Sequence, residues 1–87
     1  MERQVRVTNK LGLHVRPSAQ FAQIASKFNS SISVAKDGQT INAKSSIELL
    51  TLAAVEGTVL TIKAEGGDAE AALNALTELI NSKFGED

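Results

Sequence analysis

Four short stretches of the chain are predicted to be β-strands, and in the first two apolar and polar residues alternate with the period of two that is typical of half-buried strands. The four stretches cover about residues 2–8, 32–34, 40–43 and 59–64. Asp37-Gly38 lies between the second and the third, where a two-residue hairpin turn needs residues that accept a positive φ. The stretch Val59–Ala64 is rich in β-branched residues and is apolar on both faces, so it is predicted to be the central strand of a sheet.

Three other stretches repeat apolar residues at intervals of three and four, which is typical of amphipathic helices. They cover about residues 16–28, 46–53 and 69–83. Pro17 is tolerated in the first turn of a helix because its missing N–H would have no intrahelical partner there. Ser45 and Glu48 match a capping box ahead of the second helix, and Asp68 is the predicted N-cap of the third. Positions 83–85, with a lysine and then a glycine, mark the end of that helix.

The predicted order is β-α-β-β-α-β-α within one domain spanning residues 1–87. This order favours an α+β fold of two layers, a four-stranded, mostly antiparallel sheet with three helices on one face. The other face of the sheet, with its serine, threonine and lysine side chains, is expected to meet solvent.

The second helix carries more apolar residues than one face can hold. One stripe consists of Leu49, Leu52 and Ala53, and the other of Ile47, Leu50 and Ala54. A short helix on one side of a small sheet cannot bury both stripes. Either the predicted boundary of the helix is misplaced and the helix lies deeper, or the second stripe is an exposed patch that binds a partner protein.

Composition excludes several classes of function. The 87 residues include no cysteine and one histidine, which rules out a disulfide framework, a thiolate nucleophile and a multi-histidine zinc site, and no cofactor is expected. A net charge of -1 and three phenylalanines as the only aromatic residues lack the features of a nucleic-acid binder. The charged start Met1–Gln4 does not resemble a signal peptide, and the longest apolar stretch, Leu49–Val55, is too short to span a membrane. We expect a cytoplasmic protein.

The one histidine, His14, lies directly before the start of the first helix. The unpaired N–H groups at a helix start and the positive end of the helix dipole together bind anions. Val15 and Arg16 can offer backbone N–H groups there, Pro17 cannot, and the Arg16 guanidinium suits bidentate phosphate binding. A neutral imidazole is a nucleophile, so the segment could take a phosphoryl group on His14. The alternative is that His14 is an ordinary N-cap or loop residue.

The segment Asn9–Ser18, with its Gly-Leu-His-x-Arg-Pro core, closely resembles the active-site segment of the HPr phosphocarriers of the phosphoenolpyruvate-dependent sugar phosphotransferase system. Four further segments resemble the same family, so that essentially the whole chain is covered. They are Asn42–Ser45, Leu52–Gly57, Val59–Ala64 and Ala71–Leu76. The fold that this resemblance implies is an open-faced β-sandwich of the order given above.

The resemblance also implies a function for individual residues. His14 would accept phosphate on Nδ1 from phosphorylated enzyme I and pass it to an enzyme IIA protein or domain, with Arg16 assisting. The protein would then be a phosphoryl carrier rather than an enzyme, because its partners supply the catalytic groups. Ile47 and Leu50 occupy positions of the family's partner surface, which favours the exposed patch.

Ser45 has two interpretations. It is the N-cap of the second helix, and it also matches the family's regulatory serine, which would make a kinase of the HPr kinase/phosphorylase type a further partner. A phosphate there would add negative charge beside Ile47 and Leu50 and weaken docking. The segment departs from the regulated pattern, because Ser46-Ile47-Glu48 stands where Ile-Met-Gly is usual.

Two other functions remain open on the sequence. One is a regulatory phosphocarrier of the nitrogen-related branch, with the same histidine chemistry, and the other is a non-catalytic interaction domain in which His14 is structural. We expect a monomer, because the apolar surplus is small.

Overall fold

The computed structural model describes residues 1–86 and has the predicted order of elements. The strands are β1 (Glu2–Arg6), β2 (Ser31–Lys36), β3 (Gln39–Asn42) and β4 (Val59–Glu65), and the helices are α1 (Val15–Ala25), α2 (Ser46–Thr51) and α3 (Ala69–Asn81). A single 3₁₀ turn, Lys83–Gly85, follows α3. The predicted α+β fold, an open-faced sandwich of an antiparallel sheet and three helices, is confirmed.

The strand β4 lies inside the sheet, whose order is β1-β4-β2-β3 with every pair antiparallel. Its central position is confirmed, but the expectation that it is apolar on both faces is wrong. Leu60, Ile62 and Ala64 are buried against the helices, whereas Val59 and Lys63 are exposed on the other side. A sheet covered by helices on one face buries only alternate residues, because side chains alternate between the faces.

The hydrophobic core lies between that buried face and the helices. Phe21 of α1 and Leu73 and Leu76 of α3 are among its largest fully buried side chains. Ile24 and Phe28, which the helical spacing places on the same stripe as Phe21, are only partly buried at the edge of this core. The core fixes α1 on the sheet and therefore fixes where its N-terminus lies.

Three element ends differ from the sequence prediction, and each has a hydrogen-bonding reason. β1 ends at Arg6, because Val7 instead exchanges backbone hydrogen bonds with the loop at residues 57–58. α1 ends at Ala25, and the following turn is tightened by N–H groups that bond to carbonyls three residues back. β3 ends at Asn42, although the Ala43 N–H still donates to a carbonyl of β2.

The helix α2 is shorter than predicted, and its stripes divide differently. It ends at Thr51, and Ala53 adopts a left-handed φ of 50° that redirects the chain. Ala53 is therefore exposed and Ala54 is buried, which reverses their predicted places. Leu49 and Leu52 are buried as predicted.

The capping box of α2 is half formed. The Ser45 hydroxyl accepts a hydrogen bond from the Glu48 N–H at 3.2 Å, as an N-cap does. The Glu48 carboxylate accepts from the Asn42 N–H at 3.1 Å instead of returning to Ser45. The carboxylate therefore ties α2 to the end of β3.

Asp68 precedes α3, but the prediction that its side chain caps the helix is wrong. Its carboxylate accepts hydrogen bonds from the Asn29 and Ser30 N–H groups, at 2.8 and 2.9 Å, and from the Ser30 hydroxyl. It thereby joins the start of α3 to the turn ahead of β2. Lys83 does not lie in the last turn of α3, because that helix ends at Asn81.

Candidate functional site

The loop before α1 is held against the chain that follows α2. The Leu13 N–H donates to the Ala54 carbonyl at 2.8 Å, and the Asn9 side-chain amide donates to the Gly12 carbonyl at 2.8 Å. Gly12 has a φ of +66°, and a Cβ at this position would lie 2.2 Å from the Ala54 oxygen. Only glycine fits there, so Gly12 sets how closely the loop carrying His14 approaches the segment after α2.

His14 is the N-cap residue of α1, with an extended backbone and no capping hydrogen bond from its side chain. The first intrahelical bond runs from the Ser18 N–H to the His14 carbonyl at 3.0 Å. The N–H groups of Val15 and Arg16 therefore have no partner within the helix, and with the turn at Pro17 they form what we call the anion cradle. α1 has no acidic residue in its first turn, whereas α2 and α3 have Glu48 and Glu70 there. The positive end of this dipole is therefore not neutralised from within the helix.

The His14 ring is half-buried and contacts a carboxylate from the C-terminal end of the chain. Its Nε2 lies 3.0 Å and 3.1 Å from the two carboxylate oxygens of Glu86. The Asn9 amide also donates to Glu86 Oε1, at 2.9 Å. These hydrogen bonds from His14 and Asn9 lower the pKa of the Glu86 carboxyl below its ordinary value, so Glu86 is an anion at neutral pH. An ionised carboxylate only accepts hydrogen bonds, so Nε2 carries the proton and donates it.

Glu86 could not have been predicted as a site residue, because 72 positions separate it from His14. Asn9 lies within the motif, but nothing in its spacing showed that its amide would link Gly12 to a distant carboxylate.

Arg16 is exposed, and Pro17 is buried at the start of the helix. The positive charge of Arg16 makes a small contribution to lowering the pKa of Glu86. Within residues 1–86 its guanidinium forms no hydrogen bond or ion pair in this structure.

Exposed apolar side chains occur on the loop before α1, at the start of α1, on α2 and on the chain after α2. Ile47 is 75% exposed and Leu50 37% exposed, which confirms that the second stripe of α2 is not buried except for Ala54. Leu11, Val15 and Val55 are also exposed. We call these five side chains the apolar rim. The periodic pattern did not mark the last three, because Leu11 and Val55 are isolated in loops and Val15 lies at the very start of α1.

The other predicted site residue, Ser45, is half-buried and lies at the start of α2. Its hydroxyl accepts the capping bond from Glu48 and makes no hydrogen bond to the residues around His14. The structure thus confirms its capping role and does not join it to the His14 site.

Within residues 1–86 no group of three or more histidine, cysteine, aspartate or glutamate side chains is arranged to hold a metal ion. None of the helices in the same range has the length and apolar character needed to cross a membrane.

Comparison with known proteins identifies the family. The family model described as "PTS HPr component phosphorylation site" matches residues 1–82. The chain belongs to the HPr family of phosphocarrier proteins. It is 44% identical over 86 residues to the phosphocarrier protein HPr of Neisseria meningitidis, covering 99% of this chain and 97% of that protein.

Solved HPr structures share the fold. One of them, "HPr-C-His" from Thermoanaerobacter tengcongensis, superposes with a TM-score of 0.96 at 48% identity, covering 100% of this chain and 98% of that chain. A structure titled as an HPr dimer from the same organism has a TM-score of 0.80 at 50% identity, covering 94% of each chain.

Family membership confirms the resemblance drawn from the sequence. The protein is a phosphocarrier of the phosphotransferase system and not a catalytic enzyme. Nothing in the comparisons favours a non-catalytic interaction domain.

Proposed function

We propose that His14 accepts the phosphoryl group on Nδ1 from phosphorylated enzyme I and passes it to an enzyme IIA protein or domain in sugar uptake. The observation that carries this proposal is the position of the ring. His14 is the N-cap of α1, and its side chain is 34% exposed beside the unpaired N–H groups of the anion cradle. A nucleophile and a group of anion-binding donors are therefore next to each other.

The chemistry needs little more from this chain. As the phosphoryl group reaches the ring, the N–H groups of Val15 and Arg16 and the positive end of the α1 dipole stabilise its oxygens. The Arg16 guanidinium adds a positive charge with fixed donor geometry. The partner supplies the in-line geometry, since a carrier must accept and release the same group.

The apolar rim supports docking of these partners. A small apolar area around the reacting histidine suits brief association, because a carrier must leave one partner before it meets the next. We propose that Ile47 and Leu50 contact both enzyme I and enzyme IIA. The proposal places the protein in the cytoplasm as a monomer, and the site needs no second copy, because its residues all come from one chain.

The test is incubation with enzyme I and phosphoenolpyruvate, followed by intact mass and ³¹P NMR. The wild-type protein should gain one acid-labile phosphoryl group with the signal of a phosphoimidazole substituted at Nδ1, and His14→Ala should gain none. An acid-labile label on His14→Ala would overturn the assignment. Transfer from the labelled protein to a panel of sugar-specific and nitrogen-branch enzyme IIA proteins then decides the branch.

Arg16 is tested in the same assay. Arg16→Ala should slow phosphorylation by about tenfold or more, because it removes a charge that the transferred group meets. Arg6→Ala is the matched control, since it removes the same charge from β1 and should change the rate little. Equal effects of the two variants would show that net charge, and not a contact at the site, matters.

A further inference from the structure

We propose that Glu86 is a positioning residue for phosphoryl transfer, which holds the His14 ring with its proton on Nε2 and so presents Nδ1 as the nucleophile. This inference rests on the proposed role of His14 as the acceptor. The observations that carry it are the pair of contacts at 3.0 and 3.1 Å between Nε2 and the Glu86 carboxylate.

The carboxylate selects one form of the ring. A neutral imidazole has one nitrogen that carries a proton and one that carries a lone pair. Because the Glu86 carboxylate can only accept, its bond is satisfied when the proton is on Nε2, and the lone pair is then on Nδ1. A carboxylate that fixes the tautomer and the orientation of a functional imidazole has the same role in catalytic triads.

The carboxylate is itself held in place. The Asn9 amide donates to Glu86 Oε1 at 2.9 Å and to the Gly12 carbonyl at 2.8 Å, so the loop that carries His14 also holds its partner. The two residues that lead toward Glu86 in the turn after α3 have left-handed backbone conformations. Lys83 and Phe84 have positive φ angles of 59° and 57°, although neither is glycine.

A left-handed conformation at a residue with a side chain costs free energy, because the Cβ crowds the following carbonyl oxygen. It persists because the surroundings require it. Phe84 is buried in the core, and the Glu86 N–H donates to the Lys83 carbonyl at 2.9 Å. The turn after α3 thus brings the Glu86 carboxylate to His14.

The charge of Glu86 also matches the transfer step. In that step the Nδ1 lone pair forms the N–P bond while the bond from phosphorus to the phosphorylated donor protein breaks, and its electron pair returns to the donor. Nε2 keeps its proton, so the ring changes from neutral to a positively charged phosphoimidazolium. The Glu86 anion faces that positive charge, which stabilises the ring as it forms. In transfer to the next acceptor the same electrons move in reverse.

The sequence contains one histidine, so its tautomer can be measured without assignment. The experiment is a ¹⁵N–¹H multiple-bond correlation spectrum at about pH 8.5, where an ordinary imidazole is neutral. Wild type should show a single Nε2–H tautomer. Glu86→Ala should show a mixture of both tautomers, and phosphorylation by enzyme I should slow about tenfold, the low end of what orienting partners of functional imidazoles contribute.

Glu86→Gln separates orientation from charge. Its amide oxygen can still accept from Nε2, because the Asn9 amide donates to the same position and disfavours the flipped side chain. This variant should keep the Nε2–H tautomer but phosphorylate more slowly than wild type. Glu78→Gln is the control, since it removes a carboxylate from an exposed position on α3 and should change neither reading.

The inference is overturned if Glu86→Ala keeps both the wild-type tautomer and the wild-type rate, or if the tautomer changes and the rate does not. Failure of the proposed function looks different, because wild type would then show no label on His14 at all, whatever its tautomer.

Discussion

At the scale of single residues, the site depends on a few positions at which only one type of residue can fill the role. His14 is the proposed nucleophile, and Gly12 allows the loop before it to approach the Ala54 carbonyl. Glu86 supplies the anion that meets Nε2. The role of His14 follows from a motif, whereas Gly12 and Glu86 act through residues far away in the sequence. Sequence reasoning could therefore name the first and could not explain the other two.

Gly12→Ala tests the close approach. The new Cβ would meet the Ala54 oxygen at 2.2 Å, and the positive φ would be strained as well. We expect a loss of about 3 kcal/mol in the free energy of unfolding, from overpacking together with the left-handed conformation. Urea denaturation measures this loss.

Gly57→Ala is the control for that variant, since its φ is +91° but nothing lies within 4 Å of its Cβ position. It should lose only about 1 kcal/mol, the cost of the φ angle alone. Equal losses for the two variants would show that the approach to Ala54 is not what Gly12 provides.

At the scale of elements, the residues directly before α2 and α3 use their side chains in different ways. Ser45 caps α2, and Asp68 joins α3 to the turn before β2. The local pattern identified both positions correctly as helix starts. It assigned Asp68 the wrong partner, because a carboxylate at a helix start can bond within its own helix or to any nearby N–H group, and only the packed fold brings residues 29–30 close.

Ser45→Ala tests the cap. The Glu48 N–H loses its acceptor, and we expect the free energy of unfolding to fall by about 1 kcal/mol. Ser46→Ala changes a serine one position further on that has no capping role, so it should lower the free energy of unfolding by much less. If the two variants are equally stable in urea denaturation, the cap contributes nothing.

The same serine can be tested for regulation. Treatment with an HPr kinase, followed by mass spectrometry, would show whether Ser45 accepts phosphate. The result would also show whether the kinase tolerates residues 46–48, which depart from the family pattern.

Asp68→Asn tests the carboxylate through pH. Hydrogen bonds from Ser30 and Asn29 lower the pKa of Asp68 in the folded protein. A carboxyl whose pKa is lower in the folded state stabilises the fold above its unfolded pKa, and this contribution is lost as the pH falls from about 4 toward the folded pKa.

Wild type should therefore be more stable than Asp68→Asn at pH 6, and the difference should shrink in acid. Unfolding curves at a series of pH values check this, with Glu70→Gln, in the first turn of the same helix, as the control. A difference that stays constant down to about pH 2 would contradict the role of the charge.

At the scale of the whole molecule, the fold brings three distant segments around one ring. The loop before α1, the helix α2 with the chain after it, and the turn after α3 all meet near His14. The first two carry the apolar rim, and the third carries Glu86. The His14 side chain remains 34% exposed among these segments.

Ile47→Ala tests the rim. Ile47 is 75% exposed, so its truncation should leave the stability of the free protein nearly unchanged. If a partner buries it, the loss of contact area should raise the KM of enzyme I for this carrier by about tenfold, with little change in kcat.

Val59→Ala is the control, because Val59 is also exposed, at 44%, but lies on the sheet. A similar KM for wild type and Ile47→Ala would show that α2 is not part of the docking surface. Sedimentation of the wild-type protein over a range of concentrations tests the expected monomer.

The sequence by itself determined the order of the elements, the central strand, the place of His14 directly before α1 and the exposed stripe of α2. These follow from local periodicity, from capping and turn residues, and from one motif, none of which needs a distant partner. Tertiary structure decided the ends of the elements, the burial of Ala54 in place of Ala53, the partners of Asp68, and the Glu86 carboxylate at His14. Each of these is a contact between residues far apart in the chain, and such contacts exist only once the core has fixed the elements against one another.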